Sequence, residues 1–152
     1  NAKVCALTEQ LLAINHTMSL SPQATRYPHT SGVDVLFLCV DRMDARRQLF
    51  ESHVESPSTQ LIVDARMAAD TIRVLSVNLR YDDAEASRGA YEESLFDDSA
   101  AFRGTCTNKG TIYMANMAAA LMIRQYVAWL RKEPFASDLT LGMASMELIT
   151  NR

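Results

Sequence analysis

An α/β fold with a mostly parallel sheet and flanking helices is what this sequence predicts, and three features predict it. Val33–Val40 (VDVLFLCV) is a nearly continuous apolar run ended by Asp41. Such a run suits a strand buried on both faces under helices. A helical stretch and a second short apolar run, Gln60–Val63, follow it, so the order is strand–helix–strand. Gly110–Lys132 then carries the longest helical pattern in the chain.

The elements follow in order. Val4, Leu7, Leu11 and Ile14 recur at three- and four-residue steps, which predicts an amphipathic helix over about residues 2–14. Nothing caps its start, so the pattern is expected to continue upstream. Met18–Leu20 reads as a short extended piece, and residues 22–32, with Pro22, Pro28, Ser31 and Gly32, read as loop. After the apolar strand, Arg42–Val54 reads as a helix with Leu49 and Phe50 inward, and Asp41 suits its N-cap. Asp64 ends the second apolar run. Thr71–Val77 alternates with β-branched residues, after a turn at Ala68–Asp70. Residues 80–103 are polar and acidic, with Asp82, Asp83, Glu85, Glu92, Glu93, Asp97 and Asp98, and read as a surface loop. The helix over 110–132 is apolar on much of its circumference, which places it centrally or at an interface. Leu139–Leu141 and Met146–Ile149 read as closing strands.

Composition narrows the function classes. The 152 residues, 48% hydrophobic and 22% charged, fit one globular domain. A net charge of -3 offers no footprint for nucleic acid. No apolar run reaches the ~18 residues of a membrane span, and no leader pattern opens the chain. Cys5, Cys39 and Cys106 are widely spaced, which predicts neither a disulfide framework nor a zinc site and fits reduced thiols in the cytoplasm. His16, His29 and His53 show no ligand spacing and read as surface or packing residues.

Asp41-Arg42-Met43-Asp44-Ala45-Arg46, between a buried strand and a helix, resembles the D-N-x-x-x-R motif of the ThiF/MoeB adenylating family. Asn1-Ala2-Lys3-Val4 through Ile14-Asn15 resembles that family's P-K-V…I-N helix. Thr59–Val77 resembles its strand and hairpin, Thr105-Cys106 its T-C step, and Gly110–Lys132 its closing helix. The ordered set covers essentially the whole chain as one partial domain.

The resemblance implies a partial Rossmann-like sheet that lacks the N-terminal glycine-rich βαβ unit. It implies ATP-dependent adenylation of the C-terminal glycine of a ubiquitin-like carrier protein. Asp41 would help hold Mg²⁺ on the phosphates, Lys3 would contact ATP phosphate, and Arg46 would place the helix after Asp41. Mg²⁺ accepts one or two carboxylates plus substrate phosphates, and a carboxylate ending a parallel strand faces the ligand crevice of an open α/β sheet. Some relatives use a cysteine near Cys106 in sulfur transfer.

The departures carry expectations too. No G-x-G-x-x-G occurs among Gly32, Gly89, Gly104, Gly110 and Gly142, Arg42 stands where asparagine is usual, and no cysteine lies around Tyr91–Ser94, where many relatives bind zinc. The chain by itself is therefore expected to hold no ATP, to lack a zinc site and to be inactive alone. The alternative is an inactive partner subunit or binding module of the same fold. In the dinucleotide-type strand order, the neighbour of Val33–Val40 would lie in the missing part. That leaves an open edge and predicts a homodimer.

Overall fold

The computed structural model describes residues 3–25, 32–80, 84–97 and 112–151. The chain divides into two compact units, Asn1–Thr30 and Ser31–Arg152.

The first unit holds α1 (Lys3–Ile14), at the predicted place. Its apolar stripe is not covered: no residue of α1 is buried, and Leu7 and Ile14 are strongly exposed. Asn15 stops the helix by a local turn, its Oδ1 accepting from Thr17 N at 3.1 Å and Thr17 Oγ1 at 2.7 Å. The extended piece expected at Met18–Leu20 is not a strand.

The second unit is a five-stranded sheet in the order β1 (Val35–Leu38), β2 (Leu61–Ala68), β3 (Thr71–Asn78), β4 (Asp138–Gly142), β5 (Glu147–Asn151). The expectation of a mostly parallel sheet is overturned, because β1–β2 is the one parallel pair and the other three are antiparallel. The connections explain this. Parallel neighbours need a crossover of a dozen or more residues, and α2 (Met43–Val54) supplies one between β1 and β2. The two residues Ala69 and Asp70 between β2 and β3 allow only a hairpin. Ala69 takes the left-handed conformation that such a turn demands, φ 51°. Met146 does the same, φ 55°, in the turn between β4 and β5.

Strand alternation divides the core in two. Leu61 and Val63 of β2, with Ile72 and Val74 of β3, pack under α4 (Ile112–Leu130) through Met114, Ala118, Met122 and Trp129. On the other face Leu38, Ile62, Leu75 and Val77 meet Phe50 of α2 and Tyr91 of α3 (Ala84–Glu93). That last helix corrects a second expectation, since the acidic composition predicts a loop across residues 80–103, of which 81–83 and 98–103 lie outside the described residues. Its inward positions are Ser87 and Tyr91, one turn apart, and its other residues are polar or small. Two anchors within an acidic stretch make too narrow a stripe to stand out by periodicity. Ser87 Oγ secures the helix to β3, accepting from Asn78 N at 3.1 Å and donating to Ser76 O at 3.3 Å. No helix among the described residues is long and apolar enough to cross a membrane.

Candidate functional site at the end of the first strand

The parallel pair β1–β2 and the crossover helix α2 make a corner at Cys39–Arg42. Asp41 lies on that corner and is exposed. It is not the N-cap of α2. Arg42 holds that position in an extended conformation, φ -112° and ψ 143°, without a side-chain cap bond. Asp44, in the first turn, engages the helix start instead, its Oδ1 accepting from Ala45 N at 2.6 Å. It also receives Arg42 Nε at 2.9 Å. A carboxylate here is favoured by the positive end of the helix dipole.

Arg46 is buried, at 5% exposure, and ties the corner together. Nη1 donates to Val40 O at 2.6 Å and Nη2 to Ala65 O at 2.9 Å. It thereby clamps the residue immediately before Asp41 to the neighbouring strand. Its charge is met by Asp64, fully buried on β2, whose Oδ1 lies 3.1 Å from Arg46 Nε. Asp64 Oδ2 also accepts from Arg66 Nε at 2.8 Å and from the Tyr91 hydroxyl at 3.1 Å. Arg66 reaches on to Ser94, donating to its carbonyl at 2.8 Å and to Oγ at 2.9 Å, and its guanidinium lies 5.4 Å from the centre of the Tyr91 ring. One carboxylate therefore joins α2, β2 and the C-terminal end of α3.

The environment perturbs two neighbouring groups. Burial, and then the negative charge of Asp64, push the Tyr91 phenol well above its ordinary range, against the opposing pull of Arg66. Burial, and then Asp64, also raise the Cys39 thiol, while Arg46 lowers it. Although Cys39 as a residue is exposed, its sulfur lies 4.0 Å from Met122 Sδ. The surroundings of Cys39 therefore disfavour its thiolate.

Tyr91 gives a pH dependence with a definite sign. A phenol whose folded pKa is raised contributes stability that is fully present below its unfolded value of about 10 and is lost as pH rises through the folded value. Urea denaturation is expected to show stability falling above about pH 10 in the native protein. Tyr91→Phe is expected to be less stable at neutral pH by about 1.5–3 kcal/mol, the worth of a hydrogen bond to a charged group. Its alkaline slope should be smaller. Equal slopes in the two proteins would show that Tyr91 does not carry the effect.

Of the residues singled out by sequence, Asp41 and Arg46 fall in this corner. Lys3 is exposed in the first turn of α1, within the other unit. His53 is a packing residue, 3% exposed with Nδ1 2.8 Å from Leu49 O, and His16 is exposed. Cys106 and His29 lie outside the described residues. Asp64, Arg66, Tyr91 and Ser94 escaped sequence reasoning. The signal for Asp64 was present: Arg46 sits one turn before Leu49 and Phe50 on the inward face of α2, and a buried guanidinium needs a carboxylate.

Among the described residues no three His, Cys, Asp or Glu side chains are grouped to hold a metal. A cage built from protein ligands alone is thus not formed there. A magnesium ion carried largely by phosphates needs less, and one exposed carboxylate at the end of a parallel strand is compatible with it. No protein-family model and no curated protein matches this chain.

Proposed function

We propose that this chain is part of a ThiF/MoeB-like adenylating protein of the cytoplasm that acts on a ubiquitin-like carrier. The reaction is attack of the carrier's terminal carboxylate on the α-phosphate of ATP, giving an acyl adenylate and pyrophosphate. The observation that carries the reading is the clamp of Arg46 on Val40 O, which holds Asp41 outward at the carboxyl end of β1. The family's motif spaces its aspartate and arginine in the same way. In this reading Asp41 would orient metal-bound phosphates. Arg46 positions Asp41 without touching substrate. Magnesium, when bound, neutralises phosphate charge.

An inactive partner subunit of the same kind is the second reading. It is favoured at Arg42, which replaces the usual asparagine and is engaged with Asp44.

Calorimetry tests the proposal. The chain is titrated with a ubiquitin-like carrier ending in glycine, with the same carrier trimmed of that glycine, and with ATP and magnesium. Micromolar binding of the intact carrier is expected, with at least tenfold weaker binding of the trimmed one, about 1.4 kcal/mol. No micromolar affinity for ATP is expected of this chain alone. Its five glycines are nowhere spaced as G-x-G-x-x-G, and losing a single preorganised donor can cost about 2.7–4 kcal/mol. Equal affinity for the two carriers, or none for either, would refute the carrier reading. Micromolar ATP affinity would refute the assignment of this chain to the region after the ATP loop.

A further inference from the structure

We propose that the cavity at the C-terminal end of α4 binds a small aromatic carboxylate, held by the Trp129 indole N–H and the Lys132 ammonium. The inference does not depend on the adenylation reading.

The cavity has a volume of about 230 Å³ and is lined by Trp129, Lys132, Glu133 and Phe135. Trp129 is 8% exposed, and its ring stacks on Tyr126 with centroids 6.3 Å apart. Its Nε1–H is buried and has no hydrogen-bond partner among the described residues. Indole nitrogen only donates, so this group requires an acceptor. Buried donors in folded proteins are met by protein, ordered water or ligand. The cavity that Trp129 lines is a place from which an acceptor can reach it.

Lys132 brings a second donor on a strained backbone. α4 ends in a Schellman turn, with Glu133 N donating to Ala128 O at 2.9 Å and Lys132 N to Trp129 O at 3.1 Å. That turn sets Lys132 in the left-handed conformation, φ 56°. Glycine is the usual residue there and takes the position without steric cost. A lysine in its place gives up stability, and strain of this kind points to a use for the side chain. The Lys132 ammonium makes no ion pair among the described residues, and the residue lines the cavity.

The charge balance selects an anion. Glu133 is the one carboxylate in the lining, and it is already engaged, with Arg124 Nη2 at 3.2 Å and Arg131 Nη1 at 3.9 Å. Lys132 is left as the uncompensated charge. A carboxylate has two oxygens, one to accept from the indole and one from the ammonium. The Trp129 and Phe135 rings give an apolar wall for the body of the ligand. A cavity of about 150 Å³ holds benzene, so the space here admits one ring with its carboxylate.

Fluorescence titration with benzoate tests this, because Trp129 is the one tryptophan of the chain. Proton–nitrogen correlation spectra follow the indole N–H in parallel. The native chain is expected to saturate with a dissociation constant of about 1 mM or lower, with the indole proton resonance moving downfield. Lys132→Gly is expected to raise the thermal midpoint, since the strain is relieved, yet to bind benzoate at least tenfold less tightly, about 1.4 kcal/mol. Benzamide, which lacks the charge, should bind the native chain with a similar loss. A lysine serving the fold alone would not separate stability from binding in this way. Failure to saturate in the millimolar range, an indole resonance unmoved at saturation, as when a buried water holds the N–H, or undiminished affinity in Lys132→Gly or for benzamide would each overturn the proposal.

Discussion

Asp64→Ala is expected to remove about 3–5 kcal/mol of folding stability in urea denaturation at neutral pH, the loss typical when one partner of a buried ion pair is deleted. The carboxylate is fully buried and meets two guanidinium groups whose side chains are 6% and 11% exposed. Its removal leaves two positive charges facing each other without compensation, and takes away the acceptor of the Tyr91 hydroxyl. A domain of this size is stable by only about 5–15 kcal/mol, so the variant is expected to be close to unfolding at 37 °C. Loss of the pair should also loosen the hold of Arg46 on the half-buried Val40 O and Ala65 O. Amide exchange should then quicken at the corner from 39 to 42. A loss below about 1 kcal/mol, the range of solvated pairs, would mean that water enters and solvates the arginines.

Phe50→Ala is expected to cost about 3–5 kcal/mol, by the same measurement. The ring is 1% exposed and packs on Tyr91 with centroids 4.6 Å apart. It is the largest side chain that α2 contributes to its core layer, beside Leu38 and Ile62. Truncation removes the transfer free energy of the ring and leaves a cavity between α2, α3 and the sheet. The loss of a ring pair adds about 0.5–1.5 kcal/mol beyond area burial. Because Tyr91 reaches Asp64 from this layer, the substitution should also weaken the charge network, and its effect should not add simply to that of Asp64→Ala. A loss under about 1.5 kcal/mol would show that α2 collapses into the space.

The site was half legible in the sequence. Asp41 and Arg46 are reached through the resemblance of Asp41–Arg46 to the D-N-x-x-x-R motif, which is contiguous in sequence because it spans one turn-and-helix junction. Asp64, Arg66 and Tyr91 are not, because their meeting depends on two strands of the sheet and on α3, elements separated by dozens of residues. Tyr91 and Ser94 illustrate this. In the sequence they mark a place without cysteines, whereas in the fold Tyr91, in the last turn of α3, donates to Asp64, and Ser94, just past the helix, receives Arg66.

The amino-acid sequence by itself determined the elements: the apolar β1, α2 with Phe50 inward, the hairpin partners β2 and β3, the long α4 and the closing strands. Each announces itself through the period of its apolar residues, which is a local property. The antiparallel hairpin was not legible from the apolar run, which ends at Asp64; only the structure carries β2 on to Ala68, leaving two residues and no room to cross over. Only the tertiary structure decided that antiparallel pairs outnumber the parallel one, that β1 stands at the edge, and that an acidic stretch coils into α3. Apolar periodicity reports which face of an element is buried and is silent on the direction of its neighbour. A helix anchored at two positions, such as Ser87 and Tyr91, acquires its stability from the sheet that it covers.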